Sequence, residues 1–256
     1  MARGRTVGAT DTVDRELRLL GGWRLVVGGD AVQLHRREQR LTALLALRGT
    51  APRSEISGIL WPDTTDGKAD ASLRTAIRHT QVSAPGTLAV THGAIGIART
   101  LRVDVHDLRH AHGQRRRGSP LLPLLERGEL LPGWYEDWVV HHRTQLELIR
   151  LRTLEEVAAR ALEQADALSA LRAARLAATI EPLHEPAQSL IIRAHLVHGD
   201  HVSAVRQYRQ FQQLLDDELQ TLPSARLHAL VQPYLRPPSP RQGRSRMQRR
   251  DPLRRA

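Results

Sequence analysis

The chain has no cysteine in its 256 residues. That absence excludes a disulfide scaffold, thiol catalysis and any cysteine-ligated zinc or iron–sulfur centre. Large aromatics are scarce, at four tryptophans, three tyrosines and one phenylalanine. The front sheet therefore lacks the stacked aromatics with which RNA-binding modules hold bases. No apolar run approaches the length that crosses a bilayer. Behind Arg3 and Arg5, residues 6–16 lack the apolar core of a signal peptide. The expectation is a cytoplasmic protein with no membrane partner. Lysine is almost missing too: all of the 38 basic residues except Lys68 are arginine. Arginine suits bidentate phosphate contacts, although GC-rich coding produces the same bias.

Catalytic patterns are equally thin. Neither His-Glu-x-x-His nor Gly-x-Ser-x-Gly occurs. Gly67-Lys68 ends a superficial phosphate-loop match, but Pro62 stands where its first glycine belongs and Ala69 follows the lysine. His184-Glu185 runs into Pro186. Histidines gather at His195, His198 and His201, at His141-His142 and at His110 and His112. No acidic or thiol partner completes a site at ligand spacing. No enzyme, metal or cofactor is expected.

The net charge of +11 is unevenly placed. Residues 1–16 are neutral, 17–108 carry +4, 109–130 carry +3, 131–235 carry −3 and 236–256 carry +7. A basic front and an acidic back fit a nucleic-acid partner for the one and a protein partner for the other.

Patterning divides the chain near residue 110. Leu17 and Leu19, then Trp23, Leu25 and Val27, then Val32 and Leu34 alternate around Gly21-Gly22 and Gly28-Gly29 turns, which reads as three antiparallel strands. Three helical faces follow, at Leu41/Leu44/Leu45, Ile56/Ile59/Leu60 and Leu73/Ala76/Ile77. Leu88 and Val90 alternate before a turn at Thr91–Ala94, and Ile95 and Ile97 after it, as in a hairpin. Strands, three helices and a hairpin make an α+β winged helix-turn-helix with an extra N-terminal sheet. Behind a polar linker containing Arg115-Arg116-Arg117, the chain is helical throughout. Residues 167–175 align with 201–209 at an offset of 34, the period of tetratricopeptide-like hairpins. Ala170 and Ala204 allow close helix approach, and Tyr208 is expected to fill a neighbouring groove. The division reads as a disordered N-terminus at 1–16, a winged helix at 17–108 and a linker with a short helix at 109–130. A tetratricopeptide-like all-α domain follows at 131–235, then a disordered arginine-rich tail at 236–256.

Three segments of the back half carry a family resemblance. Leu130-Leu131-Pro132-Gly133-Trp134-Tyr135-Glu136-Asp137-Trp138-Val139 resembles the opening of the bacterial transcriptional activator domain. Ile191–Leu196, Gly199-Asp200, Ala204 and Tyr208 resemble its central hairpin, and Leu214-Leu215, Glu218-Leu219, Pro223-Ser224 and Arg226-Leu227 its closing segment. In the front half Leu60-Trp61-Pro62, Ala71-Ser72-Leu73-Arg74 and Val103-Asp104-Val105 are similar to the OmpR-type winged helix of SARP-type bacterial transcriptional regulators. The resemblance implies a sequence-specific DNA-binding regulator that activates by recruiting RNA polymerase. It implies a homodimer or side-by-side pair on directly repeated sites in double-stranded DNA. Two departures stand out. His79-Thr80-Gln81 replaces the family's frequent Leu-Arg, which should loosen the helix and remove a contact. The closing turn is Gln220–Ala225 rather than Gly-x-x-Pro-Ser-Pro.

The resemblance makes residues 68–82 the recognition helix, with Asp70, Arg74, Thr75, Arg78 and His79 on its outer face. Arg74, Thr75, Arg78 and His79 are the candidates for base contacts, since arginine reads guanine bidentately and threonine touches the thymine methyl. Arg36, Arg37, Arg40 and Arg99 are candidates for phosphate contacts, which position without specifying. Thr91 and His92 form a wing tip suited to the minor groove. Each has a plainer reading: a solvated helix face, surface arginines, a bare turn. Trp134, Tyr135 and Trp138 are expected to pack the linker against the helical domain. A rival reading makes the chain a protein–protein adaptor with weak or nonspecific DNA binding. No phosphate-loop ATPase module or phosphoacceptor receiver is read in these residues, so control by a partner or by abundance is expected.

Overall fold

The computed structural model describes residues 14–113 and 121–235. The readings of 1–13, of the Arg115–Arg117 run and of the tail at 236–256 lie outside the described residues. Three short strands open the fold: β1 (Arg15–Arg18), β2 (Arg24–Val27) and β3 (Asp30–Val32). Leu17 pairs with Leu25, and Leu25 with Val32, in antiparallel register, so the alternation puts one apolar face together. Helix α1 (Arg36–Arg48), a two-residue β4 (Ala51–Pro52), α2 (Arg53–Leu60) and α3 (Asp66–Ser83) follow. The wing is β5 (Leu88–Val90) and β6 (Ala94–Ile97), extended by β4 into a three-stranded sheet of order β4-β6-β5. Gly96 lies so close to Thr50 that a Cβ would collide with its side chain. Strand β7 (Arg102–Val103) then returns to run parallel to β1, completing a four-stranded sheet of order β3-β2-β1-β7.

Helix α1 differs from its one-face pattern. Every residue from Leu41 to Leu47 is buried, because the helix is a shared wall. Leu41, Leu44 and Leu45 pack with α2, α3 and the wing. Ala43, Ala46 and Leu47 pack with the N-terminal sheet, and Trp23 Nε1 donates to Thr42 Oγ1 at 3.1 Å. A helix apolar all round belongs inside. Thr80, expected to loosen α3, is fully buried with its hydroxyl donated to Ala76 O at 2.8 Å. The helix continues through it to Ser83.

Helix α4 (Asp104–Gly113) takes in residues 109–113, which the composition had assigned to a polar linker. Beyond it lie α5 (Leu121–Leu125), α6 (Asp137–Glu163), α7 (Ala167–Ile180), α8 (Glu185–Val197), α9 (His201–Leu219), α10 (Ala225–Val231) and a 3-10 turn at Gln232–Tyr234. Consecutive helices from α6 to α9 pack on one another as hairpins, the tetratricopeptide-like arrangement. The repeat has a local cause as well as a packing one. Asp166 accepts from Ser169 N at 3.0 Å and Asp200 from Ser203 N at 2.9 Å, so α7 and α9 start with the same N-cap. Ala170 and Ala204 are both fully buried. Tyr208 is buried with its hydroxyl 3.0 Å from His228 Nδ1.

The two halves share one apolar cluster, which runs from Leu17 and Leu25 through Val103, Leu108 and Leu125 to Trp134, Leu154 and Ala174. Polar bonds lock its seam. Leu19 N and Leu20 N donate to the buried Asp104 carboxylate at 2.9 and 3.1 Å, and Arg127 reaches the same group at 3.4 Å and Glu16 at 3.1 Å. Gly21 N donates to Glu129 O at 2.8 Å and Leu131 N to Leu19 O at 2.9 Å. Gly21, at φ +75°, has no room for a Cβ beside the Arg127 carbonyl. Arg143 then donates to the carbonyls of Leu130, Leu131 and Trp134 at 2.8–2.9 Å, holding the loop that leads into α6.

Two outcomes follow from these bonds. Asp104→Ala strands two buried amides and removes the farther of the two carboxylates on Arg127, and should lower stability by about 2–5 kcal/mol in urea unfolding. Hydrogen bonds from the Ser203 side chain and amide hold the Asp200 carboxyl below its ordinary value. The stability it lends is present above the ordinary carboxyl range and lost as pH falls through the lowered value. Asp200→Asn keeps a capping oxygen but no titration, so its melting temperature should fall less on acidification than that of the unsubstituted chain.

Candidate nucleic-acid interface

Helices α2 and α3 are joined by a turn at 61–65 that sets α3 across the front of the winged helix. Leu73, Ala76, Ile77 and Thr80 point inward and are buried. At 100° per residue the opposite side centres on Ala71, Thr75, Arg78 and Val82, all exposed. Arg74 flanks this face on the α2 side and His79 on the α1 side. The four candidates for base contacts, Arg74, Thr75, Arg78 and His79, are all exposed. Asp70, read as part of the same face, instead turns back to α2, where it accepts from Ser57 Oγ at 2.9 Å. Thr75 donates its hydroxyl to Ala71 O at 2.9 Å, which leaves its lone pairs and methyl to a ligand. His79 Nδ1 stands 3.5 Å from Glu38 Oε1 on α1. Sequence reasoning passed over Val82, which is 74% exposed in the middle of this face. Its position seven residues after Thr75 was the available signal.

The wing tip is held as a tight turn. Thr91 N and Oγ1 both donate to Ala94 O, at 3.0 and 3.2 Å, and Arg53 N at the start of α2 donates to Gly93 O at 3.1 Å. Thr91 and His92 are exposed, so the turn is tied to α2 while its side chains face solvent. Arg99 is exposed on the turn between β6 and β7.

The α1 arginines divide. Arg37 is exposed. Arg36 and Arg40 face the helical half instead. Arg36 Cζ lies 3.5 Å over the Trp134 ring and its guanidinium 3.3 Å from Glu136, while Arg40 reaches Glu136 at 3.1 Å. Trp134 packs edge-on against Trp138 at 6.3 Å between ring centroids. The start of α1 therefore docks on the loop and first turn of α6. A pattern of arginines entering a helix cannot distinguish a phosphate face from a domain seam.

His195 pairs with Asp200 at 3.7 Å, and burial lowers its imidazole below the ordinary range. Among the described residues no group of three or more His, Asp or Glu side chains is placed to hold a metal ion, and no helix is long and apolar enough to cross a membrane.

These contacts separate stability from reading. Replacing Arg36 and Arg40 together with alanine should cost about 0.5–2 kcal/mol of stability in urea, through the lost cation–π contact and ion pairs. Arg78→Ala should stay within about 0.5 kcal/mol of the unsubstituted chain.

Residues 124–234 match the family model of the bacterial transcriptional activator domain. No curated protein matches the chain in sequence. A solved structure of Mycobacterium tuberculosis EmbR, in complex with a low-affinity phosphopeptide, is similar in fold at a TM-score of 0.63 and 17% identity. The alignment covers 86% of this chain and 64% of that one, so this chain spans less than two thirds of the EmbR length. The resemblance read in the helical half is borne out by the domain model, and the likeness to EmbR bears out the fold, a small sheet region followed by a helical domain.

Proposed function

From a chain that carries a bacterial transcriptional activator domain in a SARP-type arrangement, we infer a sequence-specific DNA-binding regulator that activates transcription. The observation that carries this reading is the division of α3. Its inner side is buried, while Arg74, Thr75, Arg78 and His79 stand together on an unobstructed outer side beside an exposed wing. A major groove admits one helix, and an arginine bidentate to guanine contributes about 1–3 kcal/mol of discrimination. In this reading residues 17–108 hold the DNA, with Arg37, Arg99, Thr91 and His92 along the backbone and minor groove. The acidic residues 131–235 contact a second copy of the chain or RNA polymerase on directly repeated sites.

The engagement of Arg36 and Arg40 with Glu136 leaves fewer cations for phosphates, which is what favours the adaptor as second reading. Binding of the full chain to its own upstream DNA and to a shuffled duplex, across a salt series, separates the two. The whole chain is used because the sheet's apolar residues share a cluster with α6 and α7. The regulator reading expects a sequence preference that falls about 5- to 150-fold in Arg74→Ala or Arg78→Ala. Weak binding with a steep salt slope and no preference leaves only counterion release and overturns it in favour of the adaptor.

A further inference from the structure

The outer side of α9 has its charges sorted along the helix. Ala204, Tyr208, Phe211 and Leu215 face inward and are buried. At 100° per residue the opposite side carries Val202, Arg206, Arg209 and Gln213, then Asp216 and Asp217, and all six are exposed. Its first half is basic and its second half acidic. Four residues after each arginine stands a glutamine, not an acid. Among the described residues none of these arginines and aspartates makes an ion pair.

Apolar groups accompany the charges. Beside the basic half lies a groove lined by Val202, Val205, Arg206 and Arg209 and walled by Tyr234, whose ring stacks on His201 at 4.2 Å between centroids. Val202 is 70% exposed and Tyr234 41%. Leu222, in the segment after α9, shares a hollow with Arg209 and Gln212 and is also 70% exposed. Single exposed apolar residues need no explanation, but these gather around one helix whose charges have no partners.

A second α9 laid antiparallel satisfies the whole pattern. A two-fold axis near residue 211 sets position 206 of one copy at the height of 216 in the other. Arg206 then faces Asp217 of the other copy, and Arg209 reaches its Asp216 within one turn. Symmetry makes each pair twice, as a self-complementary surface requires. The two copies of Leu222 come together near the axis, an apolar centre between charged flanks. A parallel pair would set arginine against arginine and aspartate against aspartate.

We propose that the outer side of α9 is a self-association surface, on which a second copy of the chain docks its own α9 antiparallel. A two-fold pair turns its recognition helices in opposite senses, so on directly repeated sites one winged helix of each pair holds DNA. The pairing needs no DNA, and its failure leaves the DNA-binding reading as it stood.

Sedimentation velocity of the full chain, over a concentration series at low and high salt, reads the association. The expected result is a monomer–dimer equilibrium that weakens with salt. R206E with R209E should weaken it about tenfold or more, and D216R with D217R likewise, because each sets like charges face to face. Mixed in equal amounts, these two variants should pair with each other, and a chain carrying all four substitutions should pair with itself again. L222D should also weaken pairing, since it brings two carboxylates to the axis. All five residues are exposed, so thermal unfolding of each variant at a concentration where the chain is monomeric should match the unsubstituted chain. A chain that stays monomeric at every concentration overturns the proposal. A dimer that survives both reversals places the interface elsewhere and overturns it too. Loss in both reversals without rescue in the mixture overturns the antiparallel arrangement. Pairing that appears only when residues 236–256 are deleted makes that segment the occupant of the groove, and the second copy is then excluded.

Discussion

The Asp104 carboxylate is the joint on which the two halves of the molecule depend. It accepts the amides of Leu19 and Leu20 where β1 leaves its sheet, it begins α4, and it receives Arg127 from the segment that leads into the helical half. Burial pushes its carboxyl above the usual range, against the opposing pull of those amides. Side-chain burial of this kind is tolerated only where donors surround the group. Here they do, and the backbone pairing of 19–21 with 129–131 follows from the direction they impose. A sheet that would otherwise leave one apolar face exposed thus becomes the floor on which α4 packs, and α4 in turn packs on α6.

The second consequence is mechanical. Helix α1 lies between the recognition helix and the sheet, buried on both sides, and its N-terminal arginines grip Trp134 and Glu136. The start of α6 is thus joined to α1, and α1 through Leu41, Leu44 and Leu45 to the cluster that holds α3. The helical half, by contrast, repeats itself: identical aspartate caps start α7 and α9, and alanines at the same position let neighbouring helices close up. Such an array grows by adding hairpins.

Local patterns were enough for most of the architecture. Alternation at Leu17, Leu25 and Val32, triplets at 41/44/45, 56/59/60 and 73/76/77, and the 34-residue offset each express a period that a strand, a helix or a repeat imposes on its own residues. The outer side of α3 was legible for the same reason, since the exposed side of a helix follows once the buried side is known. Those features belonged to the sequence by itself. Tertiary structure alone decided the rest. Nothing near Arg36 or Arg40 indicates that Trp134 and Glu136, about a hundred residues away, would take them from a phosphate face. Nothing near Asp70 points to Ser57, and nothing near His79 to the carboxylate of Glu38. Strand β7 needed β1 as a partner before two residues became a strand, and Asp104 became a joint only when the amides of Leu19 and Leu20 arrived. The physical reason is common to all of these. Periodicity records which side of an element is dry, whereas a polar group's role depends on which distant partner meets it there.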